Sequence, residues 1–558
     1  MMKSLRSAII SIFLLLGIQQ GYSQSAEINL KFRYANGVNP IGIDVTYTLS
    51  ETFSNSTGRL MFLYDKMYPL QRSSDTVSSL QVRDRLGAFP LKLQTSDKSN
   101  SSDYVKWSAS RAQNGPLTVS YYVPLAPRIA LKSGPVKDLQ AAGDGLSGAI
   151  GSFLLFPDHS KKITINLHWT LNDGQEAVCS QGFGKNISFQ TSVIDLFETQ
   201  FLAGSLYSYA NNKINTGFRM YGLGQDVNNE LNASAGWYEM AYKTIRDNLN
   251  GSPTSPFYYF FRSYHGNPMS SGRATNGSFL MYLPKQMSMN DEDVKILSAH
   301  EMIHVFVSDL VSPDGLTDWY IEGIADYLSV KLLYDGHLIG EKKYLEVING
   351  QAAEYYTNKL RSTPNKKIPE IMWLGTNAWT TPYCRGSMYF ADLEGKLRQH
   401  KAKVTVLSLV NTLNSMKNRG EPITSDSWAN LLKKEAGEWA LTDYESMLSG
   451  NLLIPGDNAF GEKFKREAVK ARFFDLGFDY PKSIKVGEQI KNLRGDSPAA
   501  KAGLKEGDII NNAVDLIPLY RSYSKPLTIY VKRNSKIIPI TYHPRSTSAS
   551  AYKWMSTR

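Results

Sequence analysis

From Ser25 to about Val193, apolar side chains fall on every second position in one run after another. Ile28, Leu30, Phe32 and Tyr34 make one series, Val119, Tyr121 and Val123 another, and Ile163, Ile165, Leu167 and Trp169 the clearest. A period of two places successive side chains on opposite faces of an extended chain, so each run predicts a strand with one buried face. Turn-forming clusters such as Ala35-Asn36-Gly37 and Asn172-Asp173-Gly174 separate the runs. The expected unit is an N-terminal antiparallel β-sandwich-like domain over residues 24–193. No cluster of reactive side chains marks it as a site.

Beyond Ile194 the period lengthens. Trp237 to Leu249, Asp291 to Leu310, Trp319 to Tyr334 and Ser387 to Arg398 read as helices, and strand-like runs at Phe257 to Phe261 and Phe279 to Leu283 precede the second of them. That mixture predicts an α+β domain over 194–460. A small β module follows at 465–546, and residues 547–558 read as a polar tail. The module's sharpest feature runs from Ser497 to Ile510: a short helix stopped by Gly503, a turn at Gly507-Asp508, then a strand.

Composition narrows the possibilities. A length of 558 residues suggests about three domains. With 20% charged and 11% aromatic residues the chain cannot be wholly disordered. The two cysteines, Cys179 and Cys384, exclude a disulfide framework and a Cys-rich zinc site. The net charge is +11, but no block of Lys and Arg stands out, so no nucleic-acid partner is expected. Residues 1–23 combine Lys3 and Arg6, the apolar run Ala8 to Ile18, and small Gly21 and Ser23, the pattern of a signal peptide. Export to a periplasm or the medium is expected. No other run reaches the ~18 apolar residues of a membrane span.

The candidate chemistry lies in Ala299-His300-Glu301-Met302-Ile303-His304. Asn290-Asp291-Glu292-Asp293 before it suits a helix N-terminus, and on that helix the two imidazoles face the same side, one turn apart. Two such nitrogens fit one Zn²⁺, and Glu301 beside them can take a proton from a zinc-activated water. A turn at Ser312-Pro313-Asp314-Gly315 leads to a second helix, capped by Thr317-Asp318, that carries Glu322 and Asp326 among apolar residues. An antiparallel return brings Glu322 to the metal as third ligand and leaves a fourth position open. Asp326, one turn on, accepts the second N–H of a ligating histidine, His300.

The HExxH sequence with a Glu on the next helix resembles the gluzincin metallopeptidases. The Ser497 to Asp508 stretch resembles bacterial PDZ domains. Together with the signal and the β-domain, these features resemble metallopeptidase family sixty-one, the glycyl aminopeptidase family. The resemblance implies a thermolysin-like catalytic domain, one Zn²⁺ on His300, His304 and Glu322, and Glu301 as general base and acid. It implies that Tyr383, in Tyr383-Cys384-Arg385-Gly386-Ser387, donates its O–H to the oxyanion. It also implies a peptide or protein substrate and, at Leu476-Gly477-Phe478, a loop whose N–H groups hold a peptide C-terminus.

The chain departs from that family twice. Val305-Phe306-Val307 stands where the family has Trp-Asn after the second His. The stretch Ser270 to Ser278 lacks the carboxylate that neutralises a substrate amine and carries Arg273 instead. An arginine there repels an α-ammonium and attracts a carboxylate, which speaks against strict aminopeptidase action. The rival reading is a zinc- and PDZ-containing peptide-binding protein whose catalysis has lapsed; Glu301 argues against it, because a structural site has no need of that residue.

Overall fold

The computed structural model describes residues 24–49, 60–65, 79–93, 104–125, 138–210, 217–224, 227–250, 256–264, 271–275, 277–284, 287–313, 315–372, 378–480, 484 and 486–557. The expected signal peptide and positions 270 and 276 lie outside them.

The period-two runs form strands as expected. β1 (Ser25–Tyr34), β2 (Pro40–Leu49), β3 (Leu117–Pro124), β4 (Ile163–Thr170) and β5 (Asn186–Thr191) order as β5-β4-β1-β2-β3 in a seven-stranded sheet. Along β1, Ala26, Ile28, Leu30 and Phe32 are buried while the residues between them are exposed. One pair differs from the antiparallel expectation: β1 and β4 run parallel, with Ser25 opposite Thr164. The chain builds parts of two further sheets between these strands, so it returns to β1 by a crossover instead of a hairpin.

The first domain also extends past 193. β6 (Gln200–Gly204) belongs to one of its sheets, and the Phe201 ring lies 5.0 Å from that of Trp169 inside its core. The boundary therefore falls after Gly204. The short helix Val193–Glu198 ends the period-two pattern too early to show this from sequence.

The second domain sets a sheet against helices. β7 (Leu206–Tyr209), β8 (Phe218–Leu223), β9 (Phe257–Tyr264), β10 (Ser271–Thr275) and β11 (Ser278–Pro284) order as β7-β8-β9-β11-β10, which makes β10 an edge strand. Helices α1 (Val227–Asn248), α2 (Glu292–Phe306), α3 (Asp318–Asp335), α4 (Glu341–Thr357) and α5 (Thr381–Gln399) follow around it. The sequence reading starts α1 and α5 several residues late, because their first turns lack a clear apolar period. Phe306 packs on Tyr242 with ring centroids 5.7 Å apart. Cys179 and Cys384 are free and buried in separate cores, and burial pushes the Cys179 thiol up to about 12.

The first domain holds the edge of this sheet. Gln200 donates to the Arg273 carbonyl on β10 at 2.8 Å and accepts from Ser278 on β11 at 3.0 Å. Arg262 on β9 pairs with buried Asp138 at 2.7 Å and with Ser147 at 2.9 Å.

The third unit has its own core around Phe478, Ile510, Ile529 and Ile540. The stretch read as a polar tail is strand as far as Ser556: β16 (Arg545–Ser556) pairs antiparallel with β12 (Phe464–Phe474), while β13 (Ile509–Ile510), β14 (Leu527–Arg533) and β15 (Lys536–Tyr542) form the module's sheet. Ala549, Ala551 and Trp554 supply the buried positions that its serines and threonines hide in the sequence. Trp554 is fully buried, donates its ring N–H to the Gly456 carbonyl at 3.1 Å and exchanges main-chain and side-chain bonds with Asn349 on α4. Among the described residues, no helix is long and apolar enough to cross a membrane. Trp554→Ala is expected to cost about 3–5 kcal/mol, read as a lowered denaturant midpoint; an unchanged midpoint would show the ribbon to be dispensable.

Candidate metal centre

Helix α2 opens at Asp291, as the acidic run suggests, but the carboxylate accepts from the Ser288 N–H at 2.9 Å and makes no capping bond within the helix. Thr317 likewise stands at the N-cap of α3 with its hydroxyl elsewhere: it donates to the Leu310 carbonyl at 3.2 Å and meets the Ser312 hydroxyl at 2.7 Å. That pair of bonds closes the loop that turns the chain back, and α3 then returns across α2.

The return brings Glu322 to the histidines. His300 Nε2 and His304 Nε2 lie 3.1 Å apart, and Glu322 Oε2 is 3.3 Å from each. Among the described residues, this is the group of His, Cys, Asp and Glu side chains able to hold a metal ion. Glu322 Oε2 is buried and makes no hydrogen bond of good geometry, although two imidazole nitrogens stand beside it. Two imidazole nitrogens and one carboxylate oxygen within 4.8 Å of one another make a donor set that fits a zinc ion.

Asp326 lies with Oδ1 2.8 Å from His300 Nδ1. That contact holds a proton on Nδ1 and turns Nε2 toward Glu322. Glu301 points to the sheet edge, where its Oε2 accepts the Ala274 N–H of β10 at 3.3 Å. The approach needs a small residue two positions earlier: a Cβ on Gly272 would stand 3.1 Å from Glu301 Cγ and 2.3 Å from the Phe279 ring. Arg273, between them, is exposed.

Tyr383 lies in the first turn of α5, its ring stacked on His300 at 6.0 Å between centroids. Burial, then the neighbouring carboxylates of Glu322 and Glu301, push its phenol well above the ordinary value, so it stays a donor. Its position depends on two glycines. A Cβ on Gly386 would fall 1.9 Å from the Trp319 carbonyl oxygen, and one on Gly323 would fall 2.3 Å from Gly386 Cα. Main chain therefore touches main chain where α3 crosses α5, with Glu322 beside one glycine and Tyr383 a turn before the other. Arg385 is buried and donates to the carbonyls of Leu360, Arg361 and Thr363, a structural task.

The third module's loop is occupied from within. Leu476 and Phe478 are buried in its core, and the Gly477 N–H is donated to Asp475 Oδ1 at 2.9 Å. Asp475 is in turn bonded to Arg494 and to Lys359 of the second domain. A peptide C-terminus would have to displace that carboxylate.

Sequence reading missed Gln351, Glu354 and Arg521. Gln351 donates to the Asp326 carbonyl at 3.1 Å, and Arg521 of the third module lies between Glu354 and Asp326. No local pattern signals them, since their partners are far away in the chain.

No protein-family model and no curated protein sequence matches the chain. Among solved structures, an aminopeptidase N family protein from Idiomarina loihiensis is similar over 96% of this chain and 98% of that one, with 16% identity and a TM-score of 0.66. An M1 zinc metallopeptidase from Deinococcus radiodurans aligns with 78% of this chain and 95% of its own, at 17% identity and a TM-score of 0.47. Yeast LTA4 hydrolase aligns with 78% and 68% respectively, at 13% identity and a TM-score of 0.48. The first of these shows that the chain shares one fold with that protein almost from end to end.

Two outcomes follow from the geometry. Gly386→Ala is expected to force α5 off α3, with a loss of several kcal/mol, above the ~1–3 kcal/mol of ordinary overpacking; a wild-type melting curve would contradict the close contact. The second outcome concerns protons. Burial works to lower the His300 pKa, but the Asp326 hydrogen bond and the nearby Glu322 carboxylate outweigh that and hold it at about 10, above the ordinary 6.5. A raised folded value stabilises the metal-free protein fully below 6.5 and is lost as pH rises through about 10. At neutral pH an incoming metal ion must therefore displace a proton. Apparent zinc affinity, measured by chelator competition, should rise roughly tenfold per pH unit toward alkaline pH; a flat profile would contradict this.

Proposed function

We propose that the protein is an exported zinc-dependent metallopeptidase that hydrolyses peptide bonds. The observation that carries this reading is the meeting of His300, His304 and Glu322 around one point, with Glu301 and Tyr383 beside it. A zinc ion on those three residues supplies Lewis acidity, polarising a carbonyl and lowering the pKa of water. The shared fold with an aminopeptidase N family protein supports the class. The finer placement in the glycyl aminopeptidase family, the PDZ character of the third module and export through residues 1–23 rest on the sequence motifs.

The chain's own residues then divide the work. Glu301 takes the proton of the attacking water and passes it to the leaving amine. Its hydrogen bond from Ala274 keeps it at the edge of β10, beside which a substrate backbone can lie as an added strand. Tyr383, held protonated, donates to the oxyanion as it forms. Arg273 sits where a carboxylate would be needed to bind a free α-ammonium, so the substrate's N-terminus is not the group this edge grips. A peptide C-terminus reaching the third module would compete with Asp475 for the Gly477 N–H.

Purified protein, assayed for zinc content and for cleavage of a peptide mixture, tests the assignment. Glu301→Gln should keep its zinc and lose about 10²–10⁴-fold in rate. Tyr383→Phe should lose about 10²–10³-fold in kcat. Undiminished cleavage by Glu301→Gln would overturn the mechanism, and zinc-loaded wild type that cleaves nothing yet binds peptides would favour the lapsed binding protein.

A further inference from the structure

A chain of charged groups joins the metal centre to the third module. Asp326 uses Oδ1 for His300, while its Oδ2 is buried and makes no hydrogen bond. Facing that second oxygen at 3.9 Å is Arg521 Nη2. Arg521 follows the short helix Ile517–Tyr520 of the third module, so it enters from another domain. Its Nε donates to Glu354 Oε2 on α4 at 3.1 Å, and Glu354 is only 3% exposed.

The contact is built closely. A Cβ on Gly350 would stand 3.2 Å from Arg521 Cβ, so the arginine's stem lies on the main chain of α4 where that helix has no side chain. One turn further, Glu354 holds the guanidinium, and Gln351 between them holds the Asp326 carbonyl. The guanidinium thus stands between two buried carboxylates, one of which orients a metal ligand. A cation at that point attracts Asp326 from behind and sets how far its carboxylate can lean toward His300.

We propose that Arg521 is a positioning residue of the metal centre: it anchors Asp326, and through Asp326 the His300 imidazole, so that the third module completes the site. The proposal rests on the zinc reading given above. An independent observation agrees with it. The loop at Leu476-Gly477-Phe478 is filled by Asp475, which Lys359 ties to the second domain, as befits a module that is docked.

The test uses the full-length protein and zinc alone as the probe. Arg521→Met keeps the stem's packing and removes the charge; Arg521→Lys keeps the charge and loses the fork; Lys359→Ala breaks a docking contact elsewhere. Arg521→Met should bind zinc about 10–100-fold more weakly in chelator competition, with a lower kcat at saturating zinc and little change in KM. Arg521→Lys should recover most of the affinity. Lys359→Ala should keep wild-type zinc affinity even if its melting temperature falls. Wild-type zinc affinity in Arg521→Met would overturn the proposal, and so would an equal loss in Lys359→Ala, which would mark a docking effect only. If Arg521→Met does not fold, Arg521→Gln is read by the same criteria. Wild type that binds no zinc would instead overturn the metal reading itself, and is measured first.

Discussion

Two helices of the second domain touch through their main chains, at Gly323 on α3 and Gly386 on α5, and the distances in the metal centre depend on that contact. Packed helices ordinarily keep their axes about 8–10 Å apart because side chains lie between them. Here neither helix puts a Cβ into the crossing, so Glu322 and Tyr383, each within a turn of it, reach the same imidazole. A methyl group at either glycine would push Glu322 and Tyr383 apart, the residues proposed as metal ligand and oxyanion donor.

The site also concentrates charge inside an apolar helical layer. Glu322, Asp326 and Glu354 all lie within it, and burying unpaired carboxylates costs several kcal/mol each. Each is matched by a nearby cationic or hydrogen-bonding group: Glu322 by the imidazoles, Asp326 by His300 and Arg521, Glu354 by Arg521. Burial works to raise the Glu322 pKa, yet the two imidazoles hold it well below the usual carboxylate range. The N-terminal domain contributes from the other side, where Gln200 bonds to the edge strand on which Glu301 rests.

How much of this could be read from sequence follows the distance over which each feature is encoded. His300, Glu301 and His304 share one helical turn, so their geometry follows from helix pitch alone. Glu322 and Asp326 needed only one more step, the antiparallel return of the next helix. Tyr383 entered through a family likeness, since its partners lie on another helix and nothing local marks it. Arg521 was invisible because it meets Asp326 only when one domain docks on another. The fold shows the same gradient: alternating strands in the first domain were legible, whereas the parallel β1–β4 pair and the late boundary after Gly204 were not. The last strand looked polar because, of its four buried positions, two are alanine and one is Arg545, which leaves Trp554 as the one large apolar side chain among them.

The central claim concerns where one ion sits, and anomalous diffraction at the zinc edge from crystals of the zinc-loaded protein measures it directly. One strong peak is expected about 2.0–2.2 Å from His300 Nε2, His304 Nε2 and a Glu322 oxygen, with the remaining side open to solvent. A peak elsewhere, or a fourth protein ligand closing the site, would contradict it.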